Sequence, residues 1–556
     1  MNILRYASPT RWRNFIDSRV ELMKRDRGDN ELDAAWGEIG PLKLSPGGRT
    51  LVADGLWHNP GFFLRLRLFI EAVGRTQPLT LLGVLRSRSD HRQRRALERI
   101  GFSKFVYIDE DDEFPITAFE GEAARLLAPV KSHRDLLQLE LPEGLPAYIW
   151  YDTVLKNTSH GQPSLDHPEW KRSLAEILAY MAIYKRLFAD NDVGNLAVSH
   201  AWKSEWGALL WCALKRDVPS YCVTHYSEAI RIRRFNTLKD FDLPVEHLPV
   251  AVFDRASPGV KRALVDFGYA ELQRRQSNQS SDVNIRFAYD LSKRVNSRAE
   301  ARQKLGVDDD QPIGVIYGHA WFDFPHLYGM ANFTDFVDWF QSTVEAIRKI
   351  DHVRWFLKPH PMEVWYGGHR MKDMIGELPS HISVLPHEID TLTVMKAADA
   401  IVSVHGTSTL EAVAGGTTVI CADRSYYSDW GFAHVAKSRD EYPRILAQVG
   451  KLPRPDQATR DRAAACFVGA YGEPHETGGA LRIPCDSGGA QLFVDIRQMV
   501  VTAPSGLERE VDRLAAFLEQ TSVDSFESWT FVHAAEQQAA ATLEPQRKAE
   551  DARVNV

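Results

Sequence analysis

Short β-prone apolar runs alternate along this chain with segments of helical pattern. That alternation restricts the fold to parallel sheets layered with helices. Residues 48–57 predict a strand running into a loop. A helix from about Phe62 to Val73, a strand over Leu79–Leu85, a helix near Arg92–Ile100 and a strand at Phe105–Ile108 follow. The rhythm returns with strands at Leu196–His200 and Ser220–Thr224 around a helix near Glu205–Lys215. It restarts at Ile313–Tyr317, with a helix over Phe333–Ile350 and strands at Val353–Leu357, Ile382–Leu385, Ala400–Val404 and Thr418–Cys421. Helices are expected at 370–377, 391–398, 408–414 and 438–449, and again over Arg460–Val468 and Leu507–Glu519.

A chain of 556 residues is too long for one hydrophobic core. The pattern predicts two Rossmann-like, doubly wound α/β domains. The first covers residues 1–290, with a helical insertion at about 115–190, and the second 291–455. A polar stretch, 276–282, marks a surface loop near their boundary. A mainly helical extension at 456–533 and a tail at 534–556, rich in Ala, Gln and charge and expected to be mobile, complete the chain. The net charge of −7 argues against nucleic acid as a partner. No apolar run approaches the ~18 residues of a membrane span, and the first residues lack the apolar region of a secretory signal. Five scattered cysteines fit a reducing compartment, so the cytoplasm is expected, with peripheral contact at an inner membrane left open.

Ligands of an open α/β sheet bind at the carboxyl ends of its strands. Two motifs fall there. Lys358-Pro359-His360-Pro361 ends one strand abruptly, because proline leaves the sheet ladder and restricts the residue before it, which aims His360. His405-Gly406-Thr407-Ser408-Thr409-Leu410-Glu411 ends another and opens a helix. Gly406 allows close backbone approach, and the free N–H groups of the first turn suit phosphate oxygens. Lys358 and His360 would add donors or charge as a phosphate leaves, and Glu411 can reach two vicinal hydroxyls. The alternative is a rigid turn beside a capping box of Ser408 and Glu411.

These motifs resemble GT-B glycosyltransferases of bacterial surface polysaccharide assembly, and among them the capsule Kdo-transferase group. Further points of resemblance are Trp321-Phe322-Asp323-Phe324-Pro325-His326 and Tyr426-Tyr427-Ser428-Asp429-Trp430-Gly431-Phe432; together they span roughly 313–445. The resemblance implies two domains facing across a cleft. It implies His360 on the donor phosphate, Thr407, Ser408 and Thr409 at the phosphate end, and Glu411 on the ribose. It favours a CMP-activated acid sugar such as Kdo, transferred to a glycan or lipid-linked glycan. Gly-Thr-Ser-Thr also suits a diphosphate donor, which leaves the nucleotide open. No metal or cofactor is expected beyond the nucleotide-sugar itself.

The acceptor side is less specific. His225 and Glu228 follow a predicted strand, and Arg231, Arg233 and Arg234 come next, as an anionic-acceptor site or as a solvated basic strand. Asp54-Gly55-Leu56-Trp57-His58 reads as a loop open to a ligand or, preferably, as a β–α turn with an Asp cap. Tyr151–Lys156, with Gly161-Gln162-Pro163 beyond, reads as an ordinary polar loop. Glu228, Asp323 and His225 are the candidates for the chemistry, as general base or nucleophile. Two competitors remain. One is a CDP-polyol phosphotransferase, whose His-Gly-Thr segment belongs in the first domain, whereas here it falls in the second. The other is a non-catalytic GT-B scaffold in capsule assembly.

Overall fold

The computed structural model describes residues 30–31, 33–224, 228–279, 289, 295–307, 310–360, 363, 370–471, 481–485, 490–520, 524–526 and 529–536. Two six-stranded sheets organise them. The first is built from β1 (Thr50–Asp54), β2 (Thr80–Leu85), β3 (Lys104–Tyr107), β4 (Val193–Val198), β5 (Ser220–Thr224) and β6 (Arg231–Phe235), in the order β3-β2-β1-β4-β5-β6. The second is built from β7 (Ile313–Tyr317), β8 (Arg354–Lys358), β9 (Ile382–Val384), β10 (Ala400–Ser403), β11 (Thr418–Cys421) and β12 (His434–Val435), in the order β12-β11-β10-β7-β8-β9. All pairings are parallel except β5 with β6, where Ser220 faces Phe235. Each sheet reverses its strand order once, between β1 and β4 and between β7 and β10. Those two gaps are the topological switch points at which such sheets hold ligands. The expected architecture of two α/β domains with doubly wound sheets is therefore present, with one antiparallel edge strand.

The principal helices are α1 (Pro60–Thr76), α2 (His91–Ile100), α3 (Ala147–Thr158), α4 (Pro168–Asp190), α5 (Ser204–Leu214), α6 (Pro258–Gln276), α7 (Phe336–Ile347), α8 (Thr391–Ala397), α9 (Thr407–Ala414), α10 (Gln457–Tyr471), α11 (Ala490–Thr502) and α12 (Pro504–Glu519). Local signals start several of them. Asn59 caps α1, accepting from Phe62 N–H at 3.0 Å ahead of a proline at the first helical position, and Asp335 caps α7 through Asp338 N–H at 2.8 Å.

Both sheets are covered on both faces, as buried parallel strands require. In the first domain α3, α4 and α5 share one core, with Trp150, Tyr184 and Leu209, and α1, α11 and α12 share the other, with Phe63, Phe493 and Leu514. In the second domain α6, α9 and α10 bury one face and α7 the other.

Four expectations change. Tyr151–Lys156 is helical, inside α3, because its apolar side chains face the first core while Asp152 and Lys156 meet the second domain. Helix α6 was not anticipated; its Val260, Leu264 and Phe267 lie in the second domain's core, so that core begins well before residue 290. Only a short 3-10 turn, Met371–Asp373, stands where a helix over 370–377 was expected. The extension divides, α10 joining the second domain and α11 and α12 the first. Of the polar stretch, residues 280–282 lie outside the described residues, as do 537–556 of the tail.

Candidate active site

Three central, neighbouring strands of the second sheet each run into a histidine at the carboxyl edge: His319 two residues past β7, His360 two past β8 and His405 two past β10. His319 stacks on Phe336 (4.3 Å between centroids, 6° between planes), and the His405 ring stands 5.4 Å from it, edge-on. Tyr328 closes on His405 at 4.7 Å. Ser403 Oγ donates to the His405 carbonyl at 2.9 Å, so it accepts from His319 Nε2–H at 3.1 Å, which sets that ring's tautomer.

Burial is the main cause that lowers the basicity of all three. His360 falls to about 4, despite the attraction of Asp323, and His405 to about 3. His319 is pushed well below its ordinary value, with His405 and His360 adding repulsion. At neutral pH the edge therefore offers neutral imidazoles, N–H donors without charge. Lys358 supplies charge: burial depresses it to about 8, and its Nζ donates to Ile389 O at 3.0 Å.

Helix α9 starts at the same edge. Gly406 precedes it at φ +127°, ψ 159°, a conformation reserved for glycine, and no side chain caps the helix. The capping-box alternative is thus absent. Thr407 and Ser408 are half-buried in the first turn, while Thr409 is buried beneath it. Buried polar atoms at and near this turn, among them His405 Nδ1, Thr409 Oγ1, Tyr317 Oη and Tyr426 Oη, have no hydrogen-bond partner among the described residues.

Glu411 does not open onto a ligand. Its carboxylate is buried, taking Arg275 Nε of α6 at 2.6 Å on one oxygen and the Tyr289 hydroxyl on the other. The expected ribose contact is replaced by an ion pair that fastens α6 to α9.

The acceptor expectations need larger correction. Arg233 is fully buried in β6, with its guanidinium on the His247 carbonyl at 3.2 Å, and Arg231 is buried on the carbonyls of Gly469 and Ala470. Arg234 binds the Phe517 carbonyl at 3.0 Å. Arg231 and Arg234 hold carbonyl groups of the C-terminal helices and Arg233 one of the loop before residue 250, so these buried guanidinium groups are committed to the chain itself. Glu228 pairs with Arg482 at 3.3 Å, and His225 lies outside the described residues. Asp323 is half-exposed and bridges to Lys156 Nζ of α3 at 2.6 Å, between the two domains.

A second group lies at the switch point of the first sheet, where the sequence favours a β–α turn capped by Asp54 and does not single out Ser199 or His200. Asp54, at the end of β1, is fully buried and accepts from Ser199 N–H, Ser199 Oγ–H (3.1 Å), Trp206 Nε1–H (3.0 Å) and Leu56 N–H (3.3 Å). Burial raises it to about 6 against those bonds. Ser199 Oγ also meets His200 Nδ1 at 2.8 Å. Burial, then Lys203, lowers His200 to about 3.

No helix among the described residues is long and apolar enough to cross a membrane. Compared by sequence, the chain matches no family model and no curated protein. Among solved structures, KpsC of Thermosulfurimonas dismutans, a beta Kdo 2,4 transferase, is similar over 49% of this chain and 79% of its own, at 13% identity and a TM-score of 0.31. MurG of Acinetobacter baumannii is similar over 81% and 99%, at 12% identity and a TM-score of 0.25. A UDP-GlcNAc 2-epimerase from Neisseria meningitidis, bound to UDP-GlcNAc, is similar over 82% and 100%, at 9% identity and a TM-score of 0.22. At these identities the reading of function rests on the residues of the two switch points.

Proposed function

We propose that the chain is a glycosyltransferase that takes a sugar from a nucleotide-activated donor and passes it to a glycan or glycolipid hydroxyl. The observation that carries this reading is the second domain's carboxyl edge: Lys358, three neutral imidazoles and the uncapped start of α9 around one switch point. A sugar–phosphate bond breaks with negative charge growing on the phosphate oxygen. Fixed N–H donors, a helix terminus and an ammonium group favour that charge most where it is largest, in the transition state. His405 Nδ1 and the hydroxyls of Tyr317 and Tyr426, without a hydrogen-bond partner among the described residues, would serve a polar ligand bound there.

The donor we favour is a CMP-activated acid sugar of the Kdo type, on the strength of the Lys-Pro-His-Pro turn and the motifs around it. The test is a thermal-shift panel of CMP, CDP, UDP and GDP with the wild-type chain and His360→Ala. Stabilisation by CMP or CDP that disappears in the variant supports the donor site, and an undiminished shift in the variant removes it. Donor hydrolysis with CMP-Kdo and with CDP-glycerol separates sugar transfer from the polyol-phosphate alternative. A wild-type chain that no nucleotide stabilises would be a scaffold.

A further inference from the structure

Between β7 and α7 runs a long loop, residues 318–335, without a strand or helix of its own. Loops of such length inside a compact domain are uncommon and usually serve a function. This one has two faces. Toward the donor edge it carries His319, stacked on Phe336, and Tyr328, whose ring lies 4.7 Å from His405 and 5.3 Å from Tyr426. Asp423 pins it there, its Oδ2 accepting from the Ala331 and Asn332 N–H groups at 2.8 and 2.6 Å.

Its other face belongs to the first domain. Phe324 N–H donates to the Phe322 carbonyl at 3.1 Å, closing a tight turn in which Phe324 takes left-handed backbone (φ +52°). A residue other than glycine keeps that conformation only where its surroundings hold it. Here the turn gathers three groups around the Lys156 ammonium of α3: the Asp323 carboxylate and the rings of Phe322 and Phe324, 5.2 and 5.5 Å from Nζ. Further along, His326 packs on Tyr148 and Tyr151 of α3, with ring centroids at 5.7 and 5.8 Å, and bonds to Asp152. At the end of the loop Asp335 Oδ1 caps α7 while its Oδ2 accepts from Tyr151 and Gln162. Asp152, His326 and Asp335 are buried, so breaking any of these bonds would strand a polar group away from water. A loop has no strand ladder to set its course, and these contacts with α3 and the segment after it set it instead.

We infer that the first domain builds one wall of the donor site: Tyr151, Asp152, Lys156 and Gln162 are positioning residues that fix the β7–α7 loop, and through it His319 and Tyr328, against His405. This rests on the donor site proposed above. The second domain supplies the groups that meet the nucleotide, and the helical insertion of the first supplies the geometry in which they meet it. The four positioning residues touch no ligand and act only through the loop. Donor affinity is thereby tied to the seam between the domains, and loosening α3 from the loop loosens the nucleotide.

The experiment uses the full chain. Calorimetry follows whichever of CMP, CDP, UDP and GDP binds the wild type most tightly, and NMR follows the ring signals of His319 and His405, assigned by His319→Gln and His405→Gln. Lys156→Met, which removes a half-exposed contact, and Asp152→Asn are expected to weaken the nucleotide about tenfold, the loss when a loop holds its binding geometry a tenth of the time. Both should also shift the two histidine signals in the absence of nucleotide. Lys156→Arg, which keeps a cation between the rings, should restore most of the affinity. If Asp152→Asn does not fold, Lys156→Met decides. Leu514→Ala, in the core under α12, controls for stability alone: it should lower the melting temperature and leave affinity and signals as in the wild type. Wild-type affinity and signals in Lys156→Met, or a loss of affinity in Leu514→Ala as large as in the seam variants, overturns the inference while the donor site stands. Failure of all four nucleotides to bind the wild-type chain is a different result: it removes the donor reading, and the histidine signals still decide whether the first domain sets the loop.

Discussion

His326, in the loop after β7, binds Asp152 of α3 through both its ring and its backbone: Nδ1 meets Oδ1 at 2.7 Å and the main-chain N–H donates to Oδ2 at 3.0 Å. Both side chains are buried, and each belongs to a different domain. Beside them Tyr151 Oη and Gln162 Nε2 donate to the buried Asp335 at 2.6 and 2.9 Å, and Lys156 reaches Asp323. Gly161 rests so close to Trp321 that a Cβ there would stand 2.7 Å from the indole side chain. The helical insertion of the first domain is therefore fastened to the second domain.

Removing one partner of this buried pair should be costly. Asp152→Asn is expected to lower stability by about 3–5 kcal/mol. Burial alone would lower the His326 imidazole, but Asp152, with Asp335 and Asp423 further off, outweighs it and holds the ring above its usual range. A raised histidine contributes stability below its unfolded value that fades as pH climbs through the folded one. Denaturant unfolding at pH 6 and pH 9 should thus show the gap between wild type and variant narrowing at the higher pH. A gap that does not change with pH would mean that the pair is not charged.

Nucleotide binding should titrate with Lys358. Its amine is depressed to about 8 by burial, so positive charge is present at pH 7 and mostly gone by pH 9. CMP affinity measured by calorimetry is expected to fall across that interval in wild type and to stay flat in Lys358→Met. A wild-type profile without that decline would place the phosphate away from Lys358.

Gly406→Ala tests the turn into α9. Space is not the obstacle, since the nearest atom to an added Cβ is Ser408 Oγ at 3.9 Å. The backbone conformation is, and forcing alanine into it costs about 1–3 kcal/mol or moves the helix start. Both a lower melting temperature and a weaker CMP shift are expected. A variant with wild-type affinity would show that the first turn of α9 does not hold the nucleotide.

Asp54 should be a liability for stability at neutral pH. A buried carboxyl raised from 3.8 to about 6 favours folding only while protonated, so its contribution is complete below 3.8 and lost as pH rises through 6. The size of the shift corresponds to about 3 kcal/mol. Measured against Asp54→Asn, which cannot titrate, wild type is expected to lose about that much relative stability between pH 4 and pH 7. Parallel stability curves for the two proteins would contradict the burial effect.

Much of this was legible in the sequence, and the exceptions share a cause. Strands β7, β8 and β10 are apolar runs ended by glycine, proline or histidine, and β11 is one that follows a glycine pair, so they and the motifs at 358–360 and 405–409 could be read locally. His319 and the Asp54–Ser199–His200 chain could not, because strand order, and not sequence distance, makes their neighbours. Arg231, Arg233 and Arg234 read as a solvated basic strand because the carbonyl groups that receive Arg231 and Arg234 come from 469–470 and 517–520, and no local pattern announces a partner so far along the chain. In α3 the apolar stripe is hidden by the polar residues that cross to the other domain, so the segment reads locally as a loop. Helix α6 did carry a signal, Ser257 capping ahead of Pro258, which went unused.

The edge of the first sheet is closed late. Strand β6 receives its final backbone partners from residues 524 and 525, and the apolar side of α1 is covered by α11 and α12. A ribosome that has translated both sheets has still not delivered the cover of the first one. Until the last helices emerge, Phe62, Phe63 and Phe69 and an open strand edge must wait unprotected or be held by a chaperone. Loss of the final helices would therefore reach the folding of the domain made first.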